Sequence, residues 1–522
     1  MSEYSVTVIR GSETWNIPAR AGSVLLDALR NEDISVHAPC GGHGTCHQCR
    51  VTVTGSFAPV GGGETRSFSG AEILACRYRV ESDCTVLLPE EKKAIVMTSG
   101  VGDIPACGSG LGVAVDIGTT TVASFLYDLP TGRLIAMDSG RNAQRPFGAD
   151  VISRIQYSDE PGGLEQLSSI IRTQLSGMIN TMCAHAGRSR GEITYVSIAG
   201  NTVMEHIFAG LSPVTIGVAP FRTLSLFGEE MPASGVFDGL NRAARLYLCP
   251  ALAGYVGGDI TAGLLSSGAA REGELSLFMD IGTNGEMGIG DHNGYLCCAT
   301  AAGPAFEGAE IEMGMDGSEG AVDRVKYVDG DIQAHVIGDV TARGICGSGL
   351  VDALAAMLQA GVLTATGRMI KPQEAPEALR DRLRPAPDGT GRFYLRDEVY
   401  ISAADVRQLQ LAKAAIRAGI ETLLSIKGKT SADVCHVLIA GGFGAYMDVS
   451  SAGSIGLLPQ ELVEKTKHVG NSAGAGAALA LGEPEREKLR EFSDRCRYYE
   501  LSSSSIFMEK YIECMAFDEA EE

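Results

Sequence analysis

The sequence predicts two fold classes in tandem: an α+β amino-terminal unit of β-grasp order, then a duplicated α/β unit with two facing lobes. Three observations carry the prediction. Residues 1–90 read as a hairpin, a short helix and further strands; segments 112–132 and 277–294 repeat one strand–glycine turn–strand pattern; and 522 residues exceed one ordinary hydrophobic core. The boundaries fall at 1–90 for the first unit, 91–110 for a glycine-dotted linker, 111–270 for lobe I, and 271–522 for lobe II with a carboxy-terminal tail.

In the first unit, YSVTVIRG and WNIPA alternate as paired strands. SVLLDALRNE follows as a short amphipathic helix opened by Ser23, RVTVTG as a strand, and ILAC and CTVLLP as the late strands. Among them stand Cys40, Cys46, Cys49 and Cys76, spaced C-x5-C-x2-C-x26-C. Three thiolates on one loop and a fourth from a distant strand form the ligand arrangement of ferredoxin [2Fe–2S] sites. Gly41, Gly42 and Gly44 let the backbone wrap closely and aim N–H groups at sulfur. Four cysteines also suit tetrahedral zinc; spacing and β-grasp context favour iron–sulfur. His43 and His47 are read as neighbours rather than ligands, because four thiolates complete the site. The other ten cysteines (84, 107, 183, 249, 297, 298, 346, 435, 496 and 514) lack ligand spacing and read as buried free thiols.

A net charge of −21 argues against nucleic acid, whose phosphates demand a basic footprint. No run approaches the ~18–20 apolar residues that span a bilayer. The start, MSEYSVTVIRG, alternates like a strand and lacks the basic-then-apolar order of a signal peptide. These features predict a cytoplasmic chain with no membrane partner.

The second unit states its pattern twice. GVAVDIGTTTVASFLYDLPTG and LFMDIGTNGEMGIGDHNG place Asp116 and Asp280 164 residues apart in the same context. A helical stripe then precedes a strand and glycine turn in each half. Leu164, Leu167, Ile171, Leu175, Met178 and Met182 lead to ITYVSIAGN; Val406, Leu409, Ile416, Ile420 and Leu423 lead to CHVLIAGGFG. A third echo closes each half, GYVGGDITAGLL and VGNSAGAGAALAL. Gly118 and Gly282 open turns whose N–H groups, with Thr119, Thr120, Thr121, Thr283 and Asn284, offer donors to phosphate oxygens. Asp116 and Asp280 then face each other, able to hold hydrated Mg²⁺. Gly441, Gly442 and Gly444 of AGGFG would pass under a nucleoside, where side chains are not tolerated. Asp259 is a candidate for orienting an attacking water or, equally, a helix N-cap, the reading favoured by Asn471 in the matching place of the other half. Glu286 is an outside candidate for the same water, and Glu307, Glu310 and Glu312 are candidates for a partner surface.

With these residues in view, the second unit resembles the acetate and sugar kinase, heat-shock chaperone and actin ATPase superfamily. The whole chain is similar to the reductive activators of corrinoid proteins, with further agreement in NAQRPFGADVISRI, SIAGNTVMEH, AGPAFEGAEIEMGM and GICGSGLVDAL. One departure is the short connector, where some members insert a further small domain. The resemblance implies an ATP-dependent activator that passes one electron from a [2Fe–2S] cluster to the Co(II) corrinoid of a methyltransferase's carrier protein, restoring Co(I). It implies ATP and Mg²⁺ as companions, an unidentified low-potential electron donor as a further partner, and allows a homodimer.

Two rivals use the same ATPase fold. An activator of 2-hydroxyacyl-CoA dehydratases would hold a [4Fe–4S] cluster at a motif like GICGSGL, where Cys346 stands, but no second ligand follows until Cys435. A redox-regulated small-molecule kinase would need an acceptor pocket beside the γ-phosphate. A chaperone-like ATPase is disfavoured, because the stretch after about residue 485 is too short for a peptide-binding domain.

Overall fold

A computed structural model describes residues 3–11, 13–32, 34, 36, 42, 44, 49–89, 99–269, 273–282, 284–308, 310–386, 389–444 and 446–518. In the amino-terminal unit, β1 (Glu3–Arg10) and β2 (Glu13–Arg20) form the hairpin that alternation predicts. Val6 and Val8 point inward and are fully buried. Then come α1 (Leu25–Arg30), β3 (Arg50–Pro59), β4 (Arg66–Leu74), β5 (Tyr78–Val80) and β6 (Cys84–Leu87). The sheet runs β2-β1-β6-β3-β4, with β5 on β3 and β1 parallel to β6. Leu25, Leu26 and Leu29 of α1 join its core with Val51, Phe57 and Val86.

Two local readings are corrected. Val24, not Ser23, precedes α1, and no side chain caps that helix. Cys76 lies on a 3-10 turn, Ala75–Arg77, because β4 ends at Leu74. The turn lifts the cysteine out of the ladder toward the glycine loop.

Lobe I comprises β7 (Leu111–Ile117), β8 (Thr121–Asp128), β9 (Arg133–Arg141), α2 (Val151–Ser158), α3 (Gly163–Ala186), β10 (Ile193–Gly200), α4 (Thr202–Ala209), β11 (Glu230–Pro232), β12 (Arg245–Leu248) and α5 (Gly258–Ser266). Lobe II begins with β13 (Ser276–Ile281), β14 (Gly285–Asp291) and β15 (Gly294–Thr300). Two three-stranded sheets are inserted next: β16 (Ala321–Val328), β17 (Asp331–Val336) and β18 (Gly344–Ile345), then, after α6 (Gly347–Gln359), β19 (Leu383–Pro385), β20 (Gly391–Arg396) and β21 (Val399–Ser402). It closes with α7 (Ala403–Lys427), β22 (His436–Ala440), α8 (Val449–Ser454), β23 (Thr466–Gly470), α9 (Ser472–Leu479), α10 (Glu483–Ser493), β24 (Arg497–Tyr498) and α11 (Ser505–Glu513).

The duplication is real at the level of topology. The main sheets run β11-β12-β10-β7-β8-β9 and β23-β22-β13-β14-β15-β24. In each, the strand ending in Asp-Ile pairs antiparallel with its hairpin partner and parallel with the strand after the long helix. The helical stripes behave as their spacing demands: Leu167, Ile171 and Leu175 enter one core, Val406, Leu409 and Ile416 the other.

The closing helices tie the halves together. Alanines 473, 477 and 478 of α9 pack with Phe125 and Tyr127 of lobe I, while Ile260 and Leu264 of α5 pack with Phe278 and Leu438 of lobe II. The helices touch each other through small residues; a β-carbon on Gly476 would lie 2.1 Å from the Ala262 carbonyl oxygen. Each sheet is thus closed partly by the other half's helix. Among the described residues, no helix is long and apolar enough to cross a membrane.

Candidate functional site

Cys49 and Cys76 are both buried and reduced, with sulfurs 3.2 Å apart. Two thiolates on one tetrahedral metal ion sit about 3.7 Å apart, given metal–sulfur bonds of about 2.3 Å, so the two sulfurs would part slightly to share an ion. Gly42 and Gly44 both adopt left-handed φ angles, and Arg77 donates to the Gly44 carbonyl at 2.9 Å, drawing the loop against the Cys76 turn. Cys40, Cys46 and Thr283 lie outside the described residues. Elsewhere Cys435 is exposed, against the expectation of burial, while Cys297, Cys298 and Cys346 are buried free thiols.

The second centre is acidic. Asp116 is the last residue but one of β7, Asp280 the last but one of β13, and Asp259 sits in the first turn of α5. Glu286 on β14 pairs directly with Asp280 across the hairpin. Burial and the Asp280 charge push the Asp116 carboxyl up to about 7, opposed by a hydrogen bond from Asn471. Burial raises Asp280 to about 6. Burial, with Asp280 and Asp116, raises Asp259 to about 8, and burial, Asp259 and Asp280 raise Glu286 well above the carboxylate range. Four carboxyl groups therefore repel within one electrostatic field, which a divalent cation would relieve.

Asp259 is not the N-cap; Gly257 is, and Asp259 Oδ1 accepts the N–H of Ile260 at 2.8 Å. Asn471 does cap α9, accepting from the Gly474 N–H at 2.6 Å, so the two positions are not equivalent. Gly441 passes under Asp280 with φ +88°, and a β-carbon there would lie 2.4 Å from Asp280 Oδ1. Gly442 and Gly282 face open space, Gly444 packs on the Ala440 carbonyl, and the Gly282 N–H donates to the Asn284 carbonyl at 2.9 Å. AGGFG and the second Asp-Ile-Gly turn thus form one wall.

The first turn already carries hydrogen bonds, one of which uses a donor of the turn. Asn142 donates to the Gly118 carbonyl at 2.8 Å, Asn201 donates to Thr119 Oγ1 at 2.9 Å, and Thr120 donates to Glu307 at 3.3 Å. Thr121 is the first residue of β8. A phosphate at this turn would compete with Glu307 for the Thr120 hydroxyl, whereas the Gly118 carbonyl and Thr119 Oγ1 are engaged as acceptors.

Residues 9–81 match the family described as 2Fe-2S iron-sulfur cluster binding domain, 111–272 the RACo middle region, and 274–522 the C-terminal domain of RACo, the ASKHA domain. A solved structure titled "Reductive activator for corrinoid,iron-sulfur protein" superposes with TM-score 0.69 at 29% identity, covering 99% of both chains. The corrinoid activation enzyme RamQ of Eubacterium limosum is 37% identical over 418 residues, 77% of this chain and 69% of that protein. The chain belongs to the family of reductive activators of corrinoid proteins. A [Co(II) methylated amine-specific corrinoid protein] reductase of Methanosarcina barkeri is 25% identical over 406 residues, 72% of this chain and 70% of that protein.

In this family member, sequence reading missed several site residues. Glu307, read as partner surface, instead bonds Thr120 of the other half; beside it Arg141 of β9 pairs with Asp316. Glu312 is likewise engaged internally, by Arg392 and Tyr400 at 2.9 and 2.8 Å. Arg154 is fully buried and donates to the carbonyls of Gly148 and Thr119, bracing the first turn from behind. Glu205 is fully buried behind Gly258 and raised by burial and by Asp259, against the opposing effect of the Gly258 and Gly200 backbone N–H groups. NAQRPFGADVISRI and SIAGNTVMEH contain both residues, but a buried charge has no periodic signature.

The acidic cleft has a measurable consequence. Carboxyls raised in the folded protein keep protons that the unfolded chain has released, so their contribution to stability falls as pH rises from about 4 through about 8. In metal-free protein, Asp259→Asn should therefore flatten the loss of thermal stability between pH 6 and pH 8, and Mg²⁺ should restore wild-type stability at pH 8. Melting curves in chelator and in Mg²⁺ measure both; identical pH slopes for wild type and variant would contradict the assignment.

Proposed function

We propose that this protein is an ATP-dependent reductive activator, which returns the cobalt of a methyltransferase's corrinoid carrier from Co(II) to Co(I). The observation that carries the reading is the union, in one chain, of a buried thiol pair in a ferredoxin-type unit with two facing Asp-Ile-Gly turns. Cys40, Cys46, Cys49 and Cys76 would hold the [2Fe–2S] cluster, which supplies one-electron capacity when bound. The proposed units remain 1–90, 91–110, 111–270 and 271–522, working in the cytoplasm.

Asp116 and Asp280 would hold hydrated Mg²⁺ with ATP. The N–H groups at Gly118 and Gly282, the Thr119, Thr120, Thr121 and Thr283 hydroxyls and Asn284 receive its phosphates, and Gly442 leaves room for the nucleoside, Gly441 and Gly444 letting the turn pack against Asp280 and Ala440. Asp259, partly open to the cleft, orients the attacking water. An electron enters from a low-potential donor and leaves to cobalt, while ATP and water become ADP and phosphate. Each 100 mV uphill costs about 2.3 kcal/mol per electron. Nucleotide supplies this only by binding one state of the complex better than the other.

Phosphate analysis tests the reading against a kinase. The protein should release inorganic phosphate from MgATP, faster with Co(II) corrinoid protein present. Transfer of the phosphoryl group to a metabolite instead would favour the kinase.

A further inference from the structure

The connector ahead of lobe I does not hang free once it reaches Ser99. The Asn471 N–H donates to the Ser99 carbonyl at 2.9 Å. Gly100, with φ +87°, lies so close to β23 that a β-carbon would fall 2.6 Å from the Val469 carbonyl oxygen. Farther on, the Ile104 N–H donates to Gly132 at 2.8 Å and the Leu134 N–H to Asp103 at 2.9 Å, so the segment touches both lobes.

Asn471 has its side chain in the nucleotide cleft. Its amide nitrogen donates to Asp116 Oδ2 at 3.0 Å, and its amide oxygen caps α9. With both amide ends engaged, its orientation is determined. One residue therefore holds the connector by its backbone and a metal-orienting carboxylate of the opposite lobe by its side chain. Moving Ser99 moves the amide that aims Asp116.

We propose that Asn471 is a positioning residue that couples the connector to the nucleotide cleft: docking of Ser99 and Gly100 holds Asp116 in its binding pose and so strengthens Mg²⁺–nucleotide binding. The inference rests on the nucleotide reading of the cleft. By linkage, nucleotide tightens connector docking by the same factor, which carries the state of the cleft to the chain leading from the thiol unit.

The test is a fluorescent ATP analogue titrated into full-length wild type, Gly100→Val, Asn471→Ala and the double variant, with Mg²⁺ and with chelator. Gly100→Val, remote from the nucleotide, should weaken binding by about fivefold or more in Mg²⁺ and leave it unchanged in chelator. The double variant should bind no more weakly than Asn471→Ala, because the two changes break one path. Should Gly100→Val fail to fold, Gly100→Ala strains the same φ more gently and must show the same direction. Wild-type affinity in Gly100→Val, or losses that multiply in the double variant, overturns the coupling. Failure of wild type to bind the analogue overturns the nucleotide reading itself, whereas binding without Gly100 sensitivity overturns only the coupling.

Discussion

Cys76→Ser is expected to abolish corrinoid reduction and the protein's visible iron–sulfur absorbance while leaving ATP turnover within about twofold of wild type. The reasoning starts from position. Cys76 is 5% exposed on a rigid 3-10 turn, its sulfur 3.2 Å from Cys49. A serine hydroxyl there is a poor iron ligand, and Cys76 shares its buried core with Leu26, Ala75 and Val80. The nucleotide cleft has its own sheets, helices and cores, so its chemistry should survive. Iron analysis, the visible spectrum and phosphate release from one anaerobic preparation decide the matter. A Cys76→Ser protein that retains its iron and still reduces corrinoid would remove the thiol pair from the mechanism.

Asp280→Asn should lower MgATP turnover by about 10²–10³-fold. Asp280 is the charge that weighs on all three neighbours, raising Asp116, Asp259 and Glu286. A cation placed to relieve that field must interact with Asp280, whose Oδ1 occupies the space that a side chain at Gly441 would take. The amide keeps the shape and removes the charge. Stability should move the other way: with one repelling carboxylate gone, the metal-free variant should melt above wild type at pH 8. Activity lost with stability gained distinguishes a functional carboxylate from a structural one. Turnover near the wild-type rate would place the metal on other groups.

Much of this was legible in the residues alone. The β-grasp order followed from period-two alternation in YSVTVIRG, and the duplicated lobes from two Asp-Ile-Gly turns in matching contexts. Those signals are local, and burial of one strand or helix face enforces them. Four features were not legible because they depend on contacts between distant segments. Cys76 reads as strand, yet β4 stops two residues short of it. Asp259 reads as a cap because aspartate favours that place, but Gly257 takes it, and the Asp259 carboxylate instead feels the charges of Asp280 and Asp116. Glu307 looks like one of several solvated acids until folding sets it against Thr120, 187 residues earlier. Ser99 gives no hint of Asn471. Small residues at Gly100 and Gly470 were the only trace of a close approach, and glycines are too common here, 66 in all, to single them out.

The coupling of nucleotide to electron delivery is measured by mixing anaerobic protein, a chemical reductant and a Co(II) corrinoid protein, then following Co(I) absorbance with and without MgATP. Co(I) should accumulate only with MgATP, and not with the Asp280→Asn or Cys76→Ser proteins. Accumulation to the same extent without nucleotide would contradict an ATP-driven activator and leave the carboxylate cleft without a part in reduction.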